Sequence, residues 1–132
     1  MVVPRYLLDT GVLIRQMRGR KSVLRLVRGV TRLGRVAISP VTHLELCAGL
    51  RPHEDYAARK LLRRFQTIPV DADIGWRAGQ LIRQQRAKGH ALSIPDAIIA
   101  ATALQHGLTL VTFNPKDFDL PGLQLYPPDL LP

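Results

Sequence analysis

Apolar and polar positions along the chain fall into two alternating patterns. Short apolar runs, "RYLL" (5–8), "VAIS" (36–39), "TIPV" (67–70), "LTLVT" (108–112) and "LQLY" (123–126), have the length and composition of buried strands. Between them apolar residues recur at helical spacing. Val23, Leu26, Val27 and Val30 form one face, Ala58, Leu61, Leu62 and Phe65 a second, and Ile74, Ala78, Leu81 and Ile82 a third that stops at Gly89. Ser39 and Pro40 open a helix through "VTHLELCAGL" as cap and first-turn proline. Ser93 caps "IPDAIIAATALQH", which is apolar almost all round and so should be buried, and Gly107 ends it. Gly11 reads as a loosening of the chain where the first strand ends, and "NPKDFDLPG" (114–122) as a turn-rich loop. Strands alternating with helices predict a parallel sheet covered on both faces, in a single domain over residues 1–132. Such sheets bind ligands at the carboxyl ends of their strands, where Asp9 and the segment after Thr112 fall.

Four acids break the pattern. Asp9 stands inside the apolar run "YLLDTGVLI", where an unpartnered charge costs several kcal/mol or more. Glu45 sits in "THLELCAG", Asp96 in "SIPD" at the start of the most apolar helix, and Asp117 in "TFNPKDF" after the fourth strand. Each has an ordinary reading: a cap or turn for Asp9, an exposed helical position for Glu45, a capping box for Asp96, a solvated turn for Asp117. Together they stand near strand ends and helix starts, where an α/β fold would let them converge. Two carboxylates about 4 Å apart repel by roughly 4 kcal/mol at an effective dielectric near 20, so a cluster needs a cation.

An all-oxygen set selects magnesium or manganese over zinc. The histidines, His43, His53, His90 and His106, have no ligand spacing, and Cys47 is the one cysteine, which excludes an internal disulfide and favours a reducing, cytoplasmic setting. The N-terminus is too short and too interrupted by Pro4, Arg5 and Asp9 for a signal or membrane span. A net charge of +9, from 19 basic and 10 acidic residues, favours a polyanionic partner. With three Phe, three Tyr and one Trp the chain has little for base stacking, so nucleic acid would be held through phosphates. An acidic metal site in a basic protein points to phosphodiester chemistry.

Taken in order, "LLDTGVLI", "SPVTHLELCAGL" and "IPDAIIAATALQHGLTLVTFNPKDF" resemble the PIN domain over nearly the whole chain, and within it the VapC-type toxins of bacterial toxin–antitoxin (VapBC) pairs. The last segment is the most specific. The resemblance implies a three-layer α/β/α fold with a mainly parallel five-stranded sheet, and an endoribonuclease dependent on magnesium or manganese. It makes Asp9, Glu45, Asp96 and Asp117 the catalytic, metal-holding acids, with Thr10, Thr112 and Asn114 at supporting polar positions. It also implies an RNA substrate, a VapB-like antitoxin partner and a homodimer. Gly11 departs from the serine or asparagine of many members, and Pro115 stiffens the loop that carries Asp117. The expected mechanism has Asp9, Glu45 and Asp96 around one metal, Asp117 completing that site or serving a second, and in-line attack of water leaving 5′-phosphate and 3′-hydroxyl ends. Arg15, Arg18, Arg20 and Lys21 are candidates for RNA contact, with a solvated surface as the alternative. Exposed apolar surface on the early helices and the "YPPDLLP" tail are candidate antitoxin docking sites.

Rival readings stay open at this point. A receiver-type phosphoacceptor domain also binds magnesium in a small α/β fold; Asp71 and Asp73 follow "TIPV", but the paired acids after the first strand are missing. A haloacid-dehalogenase-type phosphatase needs an acid where Gly11 stands. His43 and Cys47 have the spacing of a helical cysteine–histidine pair, although a buried free cysteine is more often packing. A catalytically degenerate PIN-like binding module is the non-enzymatic alternative.

Overall fold

Leu7 and Leu8 are neighbours in sequence and both fully buried, which a strand allows only if both faces of its sheet are covered. The computed structural model, which describes residues 3–132, shows that arrangement. The first two positions of the expected domain lie outside the described residues. Five strands, β1 (Tyr6–Leu8), β2 (Val36–Ile38), β3 (Gln66–Thr67), β4 (Thr109–Val111) and β5 (Gln124–Leu125), pair in the order β3-β2-β1-β4-β5, all parallel. Six helices join them: α1 (Thr10–Met17), α2 (Lys21–Leu33), α3 (Pro40–Ala48), α4 (Asp55–Leu62), α5 (Ala72–Ala87) and α6 (Ile94–His106).

Side-chain alternation along the strands divides the core in two. Leu7, Ala37 and Leu110 face α5 and α6, packing on Ile74, Ala78, Leu81, Ile99 and Ala100. Leu8, Ile38 and Val111 face the other way, onto Val12 and Leu13 of α1, Val23, Val27 and Val30 of α2, and Leu61 and Leu62 of α4. The result is the three-layer α/β/α fold expected from the alternating pattern. α3 bridges the layers, since Leu46 belongs to one core and Val41 packs on the other. The chain leaves β1 toward β2 and β3, then returns to lay β4 on the opposite side of β1. Strand order therefore reverses between β1 and β4, and the residues just after these two strands, Asp9 and Thr112, flank that point.

Three expectations need correction. The third strand is Gln66–Thr67, not residues 67–70: Ile68 N–H still bonds the Ile38 carbonyl, but Pro69 has no N–H to continue the ladder. Gly11 does not loosen the chain, because Asp9, extended at φ −69° and ψ 151°, caps α1 directly and Gly11 lies inside that helix. In α6, Ala97 and Ile99 through Ala103 are buried, but Ile94 at its first turn is largely exposed.

Candidate active site

Asp9 is held where it stands by three elements. Its backbone N–H donates to the Val111 carbonyl of β4 at 2.9 Å. Its Oδ1 accepts from the Thr10 N–H at 2.9 Å, the cap bond of α1, and its Oδ2 accepts from Thr112 Oγ1 at 2.8 Å. Thr112 Oγ1 in turn accepts from the Asn114 N–H at 3.0 Å, so the turn after β4 fixes the hydroxyl that fixes the carboxylate. Thr10 and Thr112 are themselves buried.

Glu45 reaches the same place from α3. Thr10 Oγ1 donates to Glu45 Oε1 at 2.8 Å and lies 3.0 Å from Thr42 Oγ1. A hydroxyl has one proton, so with Thr10 donating to Glu45, Thr42 must donate to Thr10. Thr42 is fully buried and completes a chain from Thr42 through Thr10 to Glu45. Nothing in the composition around Thr42 marks it as part of a site. The available signal was spacing, since residues three apart share a helix face.

Asp96 lies in the first turn of α6, half-buried, with its N–H bonded to the Ser93 cap at 3.2 Å. Capping and a place in the acidic group thus coexist. Asp117 is exposed on a short 3-10 turn, Pro115–Phe118, whose Phe118 is buried in the α5/α6 core and ties the turn to the sheet. Asp9 feels the charges of Asp96 and Glu45, and Asp96 those of Glu45 and Asp117. Burial pushes the Asp9 carboxyl above its ordinary range, against the Thr112 hydrogen bond, and the charges of Asp96 and Glu45 push the same way. Burial also raises Asp96, against its Ser93 bond, with Asp117 and Glu45 adding to it.

Among the described residues none of the four acids forms an ion pair, the one pair being Arg18 with Glu54. Oxygen-only donors with uncompensated negative charge fit a hard divalent cation. Among the described residues no three acidic, histidine or cysteine side chains yet converge closely enough to ligate one ion.

The basic candidates are differently engaged. Arg18 also donates to the Gly49 carbonyl, while Arg20 and Lys21 are exposed where α2 begins. Arg15 is half-buried with its guanidinium over the Phe113 ring. Of the rival sites, Asp71 caps α5 by accepting from the Ile74 N–H at 2.9 Å. His43 Nε2 lies 2.8 Å from Thr67 Oγ1, and Cys47, expected to be buried packing, is exposed because α3 turns it outward. In the tail, Tyr126 meets Tyr6 edge to face and Leu131 packs on the α1–α4 core, leaving Leu130 exposed.

Residues 6–121 match the PIN domain, a span containing all four acids and every strand but the last. The chain belongs to the PIN-domain family. Ribonuclease VapC10 of Mycobacterium tuberculosis is 34% identical over 126 residues, covering 96% of this chain and 94% of its own. The tRNA(fMet)-specific endonuclease VapC of Salmonella typhimurium is 27% identical over 92% of this chain and 96% of its own. Among solved structures, a toxin–antitoxin complex from Klebsiella pneumoniae superposes with a TM-score of 0.77 at 33% identity, covering 93% of this PIN domain and 97% of that chain. DNA-bound VapBC from Salmonella typhimurium gives 0.82 at 25% identity over 94% and 98%. No helix of this PIN domain, among the described residues, is long and apolar enough to cross a membrane.

Proposed function

We propose that this PIN domain is a metal-dependent endoribonuclease, the toxin of a type II toxin–antitoxin pair, with Asp9, Glu45, Asp96 and Asp117 as its catalytic acids. The observation that carries the reading is a buried Asp9 at the strand-order reversal, facing the charges of Asp96 and Glu45 and, among the described residues, in no ion pair. Its likeness to Ribonuclease VapC10 over almost the full length of both chains supports the choice of RNA. The net charge of +9 suits a polyanion drawn in from solution.

Asp9, Glu45 and Asp96 are the residues that would hold Mg2+ or Mn2+, with Asp117 completing that site or serving a second ion. When bound, the ion supplies positive charge against the charge that builds on the phosphate and eases deprotonation of water. The chain's own contribution is alignment. Thr112 and the Thr10 N–H fix both oxygens of Asp9, and the Thr42–Thr10 chain points Glu45 Oε1 toward it. Asp96 enters from the first turn of α6, whose positive end works against the burial and neighbouring charges that raise its carboxyl. The products of in-line attack are 5′-phosphate and 3′-hydroxyl ends. A VapB-like antitoxin, a homodimeric state and a cytoplasmic setting complete the proposal.

Total cellular RNA, incubated with purified protein freed of any co-expressed antitoxin, tests it. Discrete cleavage with magnesium or manganese, absent with EDTA and absent for Asp96→Ala, is the expected result. Intact RNA in every lane, from folded protein that binds manganese, would reject the nuclease and favour the degenerate binding module.

A further inference from the structure

One cation, Arg15, lies against residues that neighbour Asp9 and Thr112 in the chain. Arg15 lies on α1 one turn beyond Gly11, and its guanidinium carbon is 4.2 Å from the centre of the Phe113 ring. A Cβ added at Gly11 would come within 3.2 Å of Arg15 Nη1, so the guanidinium lies across the bare face that glycine leaves. Both supports belong to the segments that hold Asp9. Gly11 follows it by two residues, and Phe113 lies between Thr112, which donates to Asp9, and Asn114, which bonds Thr112. Phe113 also packs on the α1–α4 core, so its ring is a fixed shelf.

A half-buried arginine is usually paired with a carboxylate. Among the described residues Arg15 is not, the one ion pair being Arg18–Glu54. With its carbon over the ring, the guanidinium keeps N–H groups without a hydrogen-bond partner among the described residues, and arginine grips phosphate through such an edge with two parallel hydrogen bonds. Lysine could not reproduce it, having a point charge and no plane to stack.

We propose that Arg15, laid across Gly11 on the Phe113 ring, binds a phosphate of the RNA strand beside the acidic cluster and so sets the strand's register. Arg15 is then a substrate-binding residue, and Phe113 and Gly11 are positioning residues that act through it. The inference rests on the ribonuclease reading and assigns a role that Arg18, spent on Glu54, does not share.

The test follows the anisotropy of a short fluorescein-labelled single-stranded RNA of mixed sequence through a KCl titration, in EDTA to prevent metal-dependent cleavage. Wild type, Arg15→Ala, Arg15→Lys, Phe113→Leu and the Arg15→Ala/Phe113→Leu double variant are compared, each with a thermal melt. Arg15→Ala should weaken binding about tenfold and flatten the plot of log affinity against log salt by about 0.7, the share of one single-strand phosphate contact. Arg15→Lys should keep the slope but bind less tightly than wild type. Phe113→Leu should cost about threefold in the wild-type background and nothing further in Arg15→Ala, a coupling that general loss of packing does not produce. An unchanged salt slope in Arg15→Ala, or an equal cost of Phe113→Leu in both backgrounds, overturns the inference. If wild type still cleaves total RNA with magnesium, the ribonuclease reading survives that failure; if wild type neither binds nor cleaves RNA, both fall.

Discussion

Asp9 is 6% exposed and faces the charges of Asp96 and Glu45, and its behaviour with pH follows from that. Burial first, then these neighbours, hold its carboxyl above the ordinary aspartate range; Asp96 is raised for the same first reason. An acid with a raised folded pKa contributes stability that is complete below its unfolded pKa and is lost as pH climbs through the folded value. Without metal, Asp9 and Asp96 therefore make the fold less stable from the ordinary aspartate range upward to their raised values. Asp9→Asn keeps the Thr10 cap bond and removes the charge. In EDTA its melting temperature should match wild type at acid pH and exceed it at neutral pH, and magnesium should reverse the order. Melts across a pH series check this, and a neutral-pH deficit for the variant in EDTA would contradict it.

The supporting hydroxyls make a separate prediction. Thr112→Val strips Asp9 Oδ2 of its donor and the Asn114 N–H of its acceptor, so urea denaturation should show a loss of about 1–3 kcal/mol, with Thr112→Ser restoring most of it. At this scale Asp9 was legible because a charge inside an apolar run demands an explanation. Thr42 was not, because a buried threonine on a helix looks like any other until its hydroxyl is seen 3.0 Å from that of Thr10.

Among the elements, α6 combines two duties in one turn. Ser93 Oγ accepts from the Asp96 N–H, and Asp96 sits at the positive end of that helix. Ser93→Ala should cost about 1 kcal/mol in denaturant titration through the lost cap. It should also slow cleavage, since the turn that aims Asp96 is loosened; full activity with the same loss of stability would separate the cap from the site. Helices with a long apolar stripe were legible, as Val23, Leu26, Val27 and Val30 show by lying buried together on α2. α1 was not legible. It spans only Thr10–Met17, carries a glycine in its first turn, and takes its cap from the very residue that the apolar run made conspicuous. β3 was misplaced because "TIPV" is apolar in sequence, whereas pairing is decided by backbone donors and Pro69 lacks one.

Across the whole molecule, the order β3-β2-β1-β4-β5 brings separated stretches of sequence to one edge of the sheet. Parallel strands place their carboxyl ends on one edge of the sheet, so Asp9 after β1 and Thr112 after β4 meet at the reversal although they lie 103 residues apart. Alternation predicted the sheet and its two covered faces. The strand order it could not predict, because order is decided by which crossovers pack, and the meeting of Asp9 with Thr112 follows from that order. The basic surplus belongs to the same scale: it acts at a distance on a polyanion, whereas the four acids act only on what reaches them. The most direct measurement of the central claim is the rate of magnesium-dependent RNA cleavage by Asp9→Asn, with circular dichroism on the same sample. Loss of at least about a thousandfold with the fold intact is the expected result, since the variant removes the charge that anchors the acidic group. Cleavage by folded Asp9→Asn at a rate near wild type, still abolished by EDTA, would contradict the claim that this buried carboxylate is the heart of the active site.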